Sequence, residues 1–98
     1  MFAKRSFKTK NEIEVTFEVD RPGASTAEWV SESTDWEPVQ MKRVKRTGPF
    51  RLRVRLPKDH HVQFRYLFDG EHWDNDEGAD DYWPTDQGVH NSVIFTGA

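Results

Sequence analysis

The sequence predicts an all-β fold, and three features of its pattern support that prediction. Apolar and polar residues alternate in several segments, which places one face of each segment in a core and the other in water. Turn-forming Gly, Pro and Asp residues separate these segments at short intervals. No stretch of the 98 residues has the 3.6-residue period of an amphipathic helix. Together these features are typical of an immunoglobulin-like antiparallel β-sandwich of about seven strands.

The individual strands follow from the alternation. The strongest alternation predicts strands over residues 11–20, 50–56 and 62–68, and a weaker pattern predicts strands over residues 27–30, 39–45 and 92–96. Turns are predicted at residues 21–23, 47–49, 57–59 and 69–70. The Asp69-Gly70 pair predicts a two-residue hairpin loop, and residues 74–87 are predicted to form a long polar loop.

Length and composition indicate a single domain. We assign residues 11–98 to one sandwich and residues 1–10 to an N-terminal extension. Large rings must supply much of the core, because 13% of the residues are aromatic and only 35% are hydrophobic. The absence of cysteine excludes a disulfide framework and a thiolate zinc site. No apolar run could span a membrane or form a signal peptide, so we expect a soluble, cytoplasmic domain without a membrane partner.

The net charge of −3 conceals an uneven distribution of charge along the chain. Residues 1–58 carry thirteen Lys or Arg and eight Asp or Glu, whereas residues 59–98 carry one basic and nine acidic residues. A basic run suggests nucleic-acid binding. The alternation, however, places three arginines of one predicted strand opposite three glutamates of another. These residues are Arg51, Arg53, Arg55, Glu12, Glu14 and Glu18. We therefore predict a paired, solvated face and no nucleic-acid partner.

A cluster of acidic residues in the polar loop suggests metal binding or acid–base catalysis. The cluster consists of Asp74, Asp76, Glu77, Asp80 and Asp81. An EF-hand calcium loop starting at Asp74 would need its turn glycine one position after Gly78 and a glutamate where Thr85 stands. A pair of catalytic carboxylates would need a cleft that shifts their pKa values. We therefore predict a solvated acidic loop, with no metal, no cofactor and no catalytic residue.

The four tryptophans are the remaining signal. Trp29 lies in a predicted strand and is expected in the core, whereas Trp36, Trp73 and Trp83 lie in or beside turns and polar loops. An indole ring in a loop is costly to expose unless it packs or binds a ligand. Sugar rings present flat C–H faces that stack well on indole, while Arg and Asn side chains hydrogen-bond to hydroxyl groups. The loop tryptophans therefore suggest a carbohydrate ligand.

A wider pattern connects these tryptophans: an aromatic strand ends in Asp-Gly, a Trp follows, and Gly-x-x-Asn-Ser-Val comes later. Its residues are Trp36, Phe64-Arg65-Tyr66-Leu67-Phe68-Asp69-Gly70, Trp73 and Gly88-Val89-His90-Asn91-Ser92-Val93-Ile94. From about Glu12 to Phe95 the chain resembles the glycogen-binding domains of carbohydrate-binding module family 48. That family includes the isoamylase N-terminal early-set domains and the glycogen-binding domain of the AMP-activated protein kinase beta subunit. Residues 4–10 are similar to the start of small bacterial stand-alone members.

The resemblance implies an early-set sandwich that binds α-1,4-linked glucans of the glycogen or starch type in a surface groove, without catalysis. It implies that Trp36 and Trp73 stack on sugar rings. It also implies that Arg65 is the basic hydrogen-bond donor and Asn91 the loop asparagine. The implied partners are an α-glucan or glycogen, and an enzyme or kinase of glycogen or starch metabolism. The alternative is a protein-interaction module that keeps the sandwich and has lost sugar binding, because fold alone does not determine function.

The chain departs from the family at residues 31–34. Ser31-Glu32-Ser33-Thr34 stands where the family usually has Gly-Asp-Phe-Asn before the first tryptophan. The departure removes a ring and an amide that could fix the turn. We therefore expect the Trp36 loop to be less preorganised and the glucan affinity to be weaker than in a typical member.

Overall fold

The chain folds into two antiparallel sheets whose strands are short and closely spaced in sequence. The structure is a computed structural model that describes residues 2–6 and 11–97. The strands are β1 (Phe2–Ser6), β2 (Glu12–Val19), β3 (Ala27–Ser31), β4 (Val39–Gln40), β5 (Lys42–Arg43), β6 (Phe50–Pro57), β7 (His61–Phe68), β8 (His72–Asp74), β9 (Asp81–Pro84) and β10 (His90–Phe95). One 3₁₀ turn, Glu32–Thr34, follows β3.

The strands form a sandwich, which confirms the predicted all-β class. Sheet A has the order β1-β2-β6-β5, and sheet B has the order β4-β3-β7-β10-β9, with β8 paired to the second half of β7. Apolar residues of β2 alternate with partly exposed ones along the strand, as the sequence pattern predicts. The inward faces of the two sheets together enclose one core.

Large aromatic rings fill the centre of this core. Trp29 on β3 is fully buried, as predicted, and its ring centroid lies 4.9 Å from that of Phe17 on β2. Phe64 on β7 packs edge-on against Phe17 at 4.8 Å. Contacts between tilted and edge-on rings stabilise a core beyond the area that they bury. The sequence prediction that a few large rings carry the core is confirmed.

The segment predicted as one strand over residues 39–45 is instead divided between the two sheets. Residues Val39–Gln40 pair with β3 in sheet B, and residues Lys42–Arg43 pair with β6 in sheet A. Met41 lies between them, is 3% exposed and donates its N–H to the Ala27 carbonyl at 2.9 Å. The chain therefore crosses from one layer to the other at a buried methionine, which a simple alternation pattern cannot reveal.

Two other sequence predictions are wrong in detail. The β7–β8 hairpin has a three-residue loop, Asp69-Gly70-Glu71, rather than two residues, although Asp69 and Gly70 both have positive φ as predicted for such a turn. The predicted polar loop over residues 74–87 contains a strand, Asp81–Pro84, that pairs with β10. Trp83 therefore lies in a strand and not in a loop.

The outer face of sheet A carries the predicted pairing of charges. Arg51 lies opposite Glu18, and their side chains form an ion pair at 2.8 Å. Arg55 lies opposite Glu14 in the same register. Glu12 is different, because it faces a proline instead of an arginine. The predicted placement of arginines opposite glutamates is therefore present for two of the three arginines.

Part of the predicted N-terminal extension belongs to a sheet. Residues Phe2–Ser6 form β1, which pairs antiparallel with β2 at the edge of sheet A. Lys4 also reaches the other layer, where its ammonium group lies 2.8 Å from a carboxylate oxygen of Asp80. Residues 7–10, assigned to the same extension, lie outside the described residues.

The outer face of sheet B differs from an ordinary solvated sheet face. Three buried apolar residues point outward from its central strands: Val30 on β3, Leu67 on β7 and Val93 on β10. Each is at most 8% exposed, and all three lie outside the core cluster on the opposite face. Something must cover these side chains on the outside. The candidate site lies on this face and includes Val30 in its lining.

Candidate functional site

An open groove of about 430 Å³ lies on the outer face of sheet B. The residues that line it are Val30, Trp36, Arg65, Trp73, Thr85, Gln87, Val89 and Asn91. All four residues proposed from the sequence resemblance are in this set, although they come from four separate segments of the chain. Trp83, the remaining loop candidate, does not line the groove.

Trp73 and Arg65 form one wall of the groove. Trp73 on β8 lies opposite Leu67 of β7, and Arg65 lies two residues earlier on the same outward face of β7. The guanidinium carbon lies 5.0 Å from the centroid of the indole ring, which is the geometry of a cation–π contact. Because 48% of Trp73 is still exposed, the arginine supports the ring without covering it.

Trp36 enters the groove from a hydrogen-bonded turn. Its N–H donates to the Ser31 carbonyl at 2.8 Å, and the Thr34 hydroxyl lies 3.1 Å from that same carbonyl and 3.0 Å from the Glu37 carbonyl. The Ser31 hydroxyl caps the 3₁₀ turn by accepting the Ser33 N–H and donates to the Gln63 carbonyl at 2.8 Å. These hydroxyl groups hold the turn, and the expectation that the Trp36 loop is less preorganised than in a typical family member stays a prediction.

The same turn places two consecutive residues in the left-handed region. Asp35 has φ 54° and Trp36 has φ 64°. Aspartate tolerates this region, but a bulky aromatic residue rarely adopts it. Such a conformation costs about 1–3 kcal/mol and persists where the surrounding structure enforces it, often at functional sites. Trp36 is 43% exposed, so a large part of the indole held in this conformation faces solvent.

A chain of side chains orients the amide of Asn91, which is only 7% exposed. The carboxylate of Glu32 accepts the backbone N–H of Gln63 at 3.1 Å and its side-chain N–H at 3.3 Å. Gln63 Oε1 in turn accepts the Asn91 Nδ2–H at 3.0 Å. A carboxylate can only accept, so Gln63 must direct its NH₂ group to Glu32 and its oxygen to Asn91. This leaves Oδ1 of Asn91 able to accept a hydrogen bond from a ligand in the groove.

Besides Val30 of β3, the remaining side chains of the groove come from the β9–β10 hairpin, which the sequence analysis missed. Thr85 donates its N–H to the Val89 carbonyl at 2.7 Å, and Gly88 donates to the Thr85 carbonyl at 3.2 Å. Gly88 has φ 77°, which glycine adopts without a steric penalty. Gln87 and Val89 flank this glycine and face the groove. A turn glycine between a Trp-Pro pair and an Asn-Ser-Val strand is the signal that could have indicated the hairpin.

One acid of the predicted solvated loop is buried, which corrects that interpretation. Asp76 is 1% exposed and accepts hydrogen bonds from the Tyr66 hydroxyl at 2.6 Å and the Gly78 N–H at 2.7 Å. Its own N–H donates to the Ser92 hydroxyl at 2.9 Å. Burial, reinforced by the bond to Asp76, raises the pKa of Tyr66 above its ordinary range. These contacts tie the acidic loop to β7 and β10 and give Asp76 a structural role.

A larger groove of about 700 Å³ lies between the end of β2 and this acidic loop. Two of its charged groups, Arg21 and Asp74, form an ion pair at 2.5 Å, and Asp76 is bonded as described above. Within residues 2–6 and 11–97, no three His, Asp or Glu side chains are arranged as metal ligands. The groove on sheet B, with two exposed indoles, is therefore the better candidate for ligand binding.

Comparison with known proteins shows similarity at the level of the fold. No family model matches the chain, and no curated protein matches its sequence. The ferric enterobactin esterase of Salmonella typhimurium superposes with a TM-score of 0.76 and 11% identity over 97% of this chain. The enterobactin esterase of Shigella flexneri, solved in the presence of 2,3-dihydroxy-N-benzoyl-serine, gives 0.75 and 13% over the same share.

These structures contain the same β-sandwich within longer chains. The present chain spans 34% of the Salmonella esterase chain and 32% of the Shigella one, about a third of each. At such low identity the similarity establishes the sandwich architecture and nothing about ligand or activity. No helix in the described part of the chain has the length and apolar character to cross a bilayer.

Proposed function

We propose that this chain is a non-catalytic module that binds α-1,4-linked glucans of the glycogen or starch type. The observation that supports the proposal best is the meeting of two exposed tryptophans, an arginine and an asparagine in one groove. The sugar rings stack on Trp36 and Trp73, and the side chains of Arg65 and Asn91 bond to the hydroxyl groups. As the resemblance to family 48 implies, the four residues act together although they are distant in sequence.

The energetic state of the two indoles supports a binding role. Trp36 and Trp73 are each more than two-fifths exposed, so neither ring contributes its full burial energy to the fold. Trp73 has a cation–π contact with Arg65, and Trp36 has an unfavourable backbone conformation. Rings held in place but left in water are available to stack on a flat apolar surface such as the C–H face of glucose. A ligand that buries both rings recovers that free energy.

The polar groups of the groove suit a ligand rich in hydroxyls. The Glu32–Gln63–Asn91 chain directs an acceptor oxygen toward the groove, and Arg65 supplies donors. A neutral polyol can satisfy both donors and acceptors, because each hydroxyl does both.

The lining of the groove also supports binding without catalysis. Hydrolysis of a glycosidic bond needs two carboxylates on either side of it. None of the eight lining residues is an acid. The module would act in the cytoplasm by bringing an enzyme or kinase of glycogen or starch metabolism to its polymer. It would do so without a cofactor, a nucleic-acid partner or a membrane.

A protein-interaction module is the second candidate. The occurrence of this sandwich within esterase chains about three times as long shows that the fold accompanies enzymes. In that case the groove or another surface would contact a protein, and glucan would not bind.

A titration with maltoheptaose, observed through the indole N–H signals in ¹H–¹⁵N spectra, separates the two candidates. We expect the signals of Trp36 and Trp73 to shift in a saturable manner and that of the buried Trp29 to stay in place. We expect a dissociation constant between about 100 μM and 10 mM, which corresponds to roughly 3–5 kcal/mol. If neither maltoheptaose nor β-cyclodextrin moves any indole signal, glucan binding is refuted and the interaction module becomes the better assignment.

A further inference from the structure

A second aromatic group lies beside the groove on the same face of sheet B. The ring of His61 on β7 lies 4.3 Å from that of Phe95 on β10 and 5.6 Å from that of Trp83 on β9. We call these three residues the aromatic platform. None belongs to the core cluster. His61 is exposed, while Trp83 and Phe95 are half-buried.

The strand register makes the platform continuous with the groove. Trp83 lies directly opposite Asn91, which lines the groove, and His61 lies directly opposite Phe95. Arg65 and His61 are four residues apart on the same face of β7, which corresponds to about 13 Å along a strand. An extended ligand that lies along β7 can therefore contact the groove and the platform at the same time.

Polar side chains occupy the surface between the two aromatic regions. Gln63 lies midway between Arg65 and His61 on β7, and its amide is held by Glu32 and Asn91. Asp81 accepts the indole N–H of Trp83 at 3.2 Å, which restrains that ring. Along β7 the surface is thus aromatic at the groove, polar at Gln63 and aromatic again at the platform. A glucan chain has the same alternation, because each sugar offers an apolar ring face and a rim of hydroxyl groups.

We propose that the aromatic platform is a second contact region for the same glucan chain. One linear chain stacks in the groove, passes the Gln63 strip and places a further sugar on the rings of His61 and Trp83. This inference rests on the proposed glucan-binding function and adds to it a preference for longer linear chains. The His61 ring is exposed, so it is available to contact a ligand.

The test compares a short and a long linear ligand, maltotriose and maltoheptaose, on four proteins by calorimetry. These are the wild type, Trp83→Ala, His61→Ala and the control Val44→Ala, which removes an exposed apolar side chain near sheet A. We expect Trp83→Ala to weaken maltoheptaose binding about fivefold or more. We expect His61→Ala to weaken it in the same direction. Maltotriose binding should be unchanged in both, and Val44→Ala should match the wild type throughout.

Each other outcome overturns the inference in a recognisable way. If both variants bind maltoheptaose as tightly as the wild type, the platform is not a contact region and the proposed function stands. If the variants weaken both sugars equally, the platform supports the groove only structurally. If the wild type binds neither sugar, the proposed function fails and the extension fails with it. Should Trp83→Ala not fold, His61→Ala decides alone, since that residue is exposed; a change in its oligomeric state without an effect on sugar binding would assign the platform to a second copy.

Discussion

Replacing Glu32 by Gln tests whether the chain of side chains behind the groove determines sugar affinity. Glu32 accepts two hydrogen bonds from Gln63, one from the backbone and one from the side chain. The amide of the new glutamine has one acceptor oxygen and one NH₂ group. Its oxygen can accept one of the two N–H groups of Gln63, but its NH₂ group then faces the other N–H group, which is also a donor. Gln63 is then free to turn its amide over. Asn91 would follow and present its NH₂ group to the groove.

The expected loss is the value of one hydrogen bond to the ligand. Oδ1 of Asn91 can accept a sugar hydroxyl only while Nδ2 donates to Gln63. A neutral hydrogen bond contributes about 0.5–1.5 kcal/mol, which converts to about two- to tenfold in the dissociation constant. The change in stability should be smaller than in a buried network, because Glu32 is exposed and water can replace its bonds.

The assay is a calorimetric titration with maltoheptaose, with Glu37→Gln as the matched control. Glu37 is exposed, lies beside Trp36 and contributes its backbone N–H and carbonyl to the turn, which the substitution leaves in place, so the control makes the same change in charge. We expect Glu32→Gln to bind about two- to tenfold more weakly than Glu37→Gln. We also expect the side-chain amide signals of Asn91 to shift in Glu32→Gln alone. Equal affinities of the two variants would refute the role of the Glu32–Gln63–Asn91 chain.

Three further predictions concern the groove and its supports. Trp73→Ala and Trp36→Ala should each weaken glucan binding by about fivefold or more, measured by calorimetry, because stacking on a ring contributes about 1–3 kcal/mol. Both variants should remain folded and unfold cooperatively in denaturant titrations; unfolding by either would place that ring in the core instead. Tyr66→Phe should lower the free energy of unfolding by about 1–3 kcal/mol, because buried Asp76 loses a donor. Since the pKa of Tyr66 is raised in the fold, its contribution is complete below the ordinary value of 10 and declines above it; urea unfolding from pH 8 to about 11 should show that slope, and Tyr66→Phe should lack it. Asp69 has a lowered pKa because backbone N–H groups of the β2–β3 turn bond to it, so its contribution is complete above the ordinary value of 3.8 and is lost as the pH falls below 3.8 through the lowered pKa of the folded state. Asp69→Asn should flatten the acid limb of stability, and an unchanged limb would contradict the assignment.

The parts of the fold that could be predicted are those that local patterns determine. The alternation of Ile13, Val15 and Phe17 with glutamates identifies both the strand and its buried face, because side chains of a strand point to opposite sides in turn. The Arg51–Glu18 pair could be predicted for the same reason, once both strands were placed in one sheet. These features depend on neighbours two residues away.

The features that escaped prediction depend on contacts between distant segments. Met41 divides a predicted strand because the residues before it pair in sheet B and the residues after it pair in sheet A. The alternation pattern of residues 39–45 does not indicate that two sheets are involved. Asp76 looks like its exposed neighbours in sequence, and only the hydroxyl groups of Tyr66 and Ser92 make its burial tolerable. Strand β9 is four residues long and is stabilised by its partner β10 more than by its own pattern.

The candidate site likewise contains residues that could be predicted from the sequence and residues that could not. The positions of Trp36, Arg65, Trp73 and Asn91 were indicated by a resemblance between motifs, and their meeting in one groove depends on how β3, β7, β8 and β10 pair. Glu32 and Gln63 could not be recognised, because a glutamate in a turn and a glutamine on a strand are ordinary solvated residues in any sequence. Their roles follow only from the distances that join them.

The turn before Trp36 departs from the motif of the family that the sequence resembles, and hydroxyl groups hold it instead. The family motif would place a phenylalanine and an asparagine in this turn, whereas this chain places the hydroxyls of Ser31 and Thr34 there. Each hydroxyl bond contributes about 0.5–1.5 kcal/mol, and together they are comparable to the cost of holding Trp36 at positive φ. A glycine at position 36 would remove that cost and would suit the turn better. This chain instead keeps a half-exposed indole in a strained conformation and holds it there with several hydrogen bonds. The stability of the fold alone does not explain this arrangement.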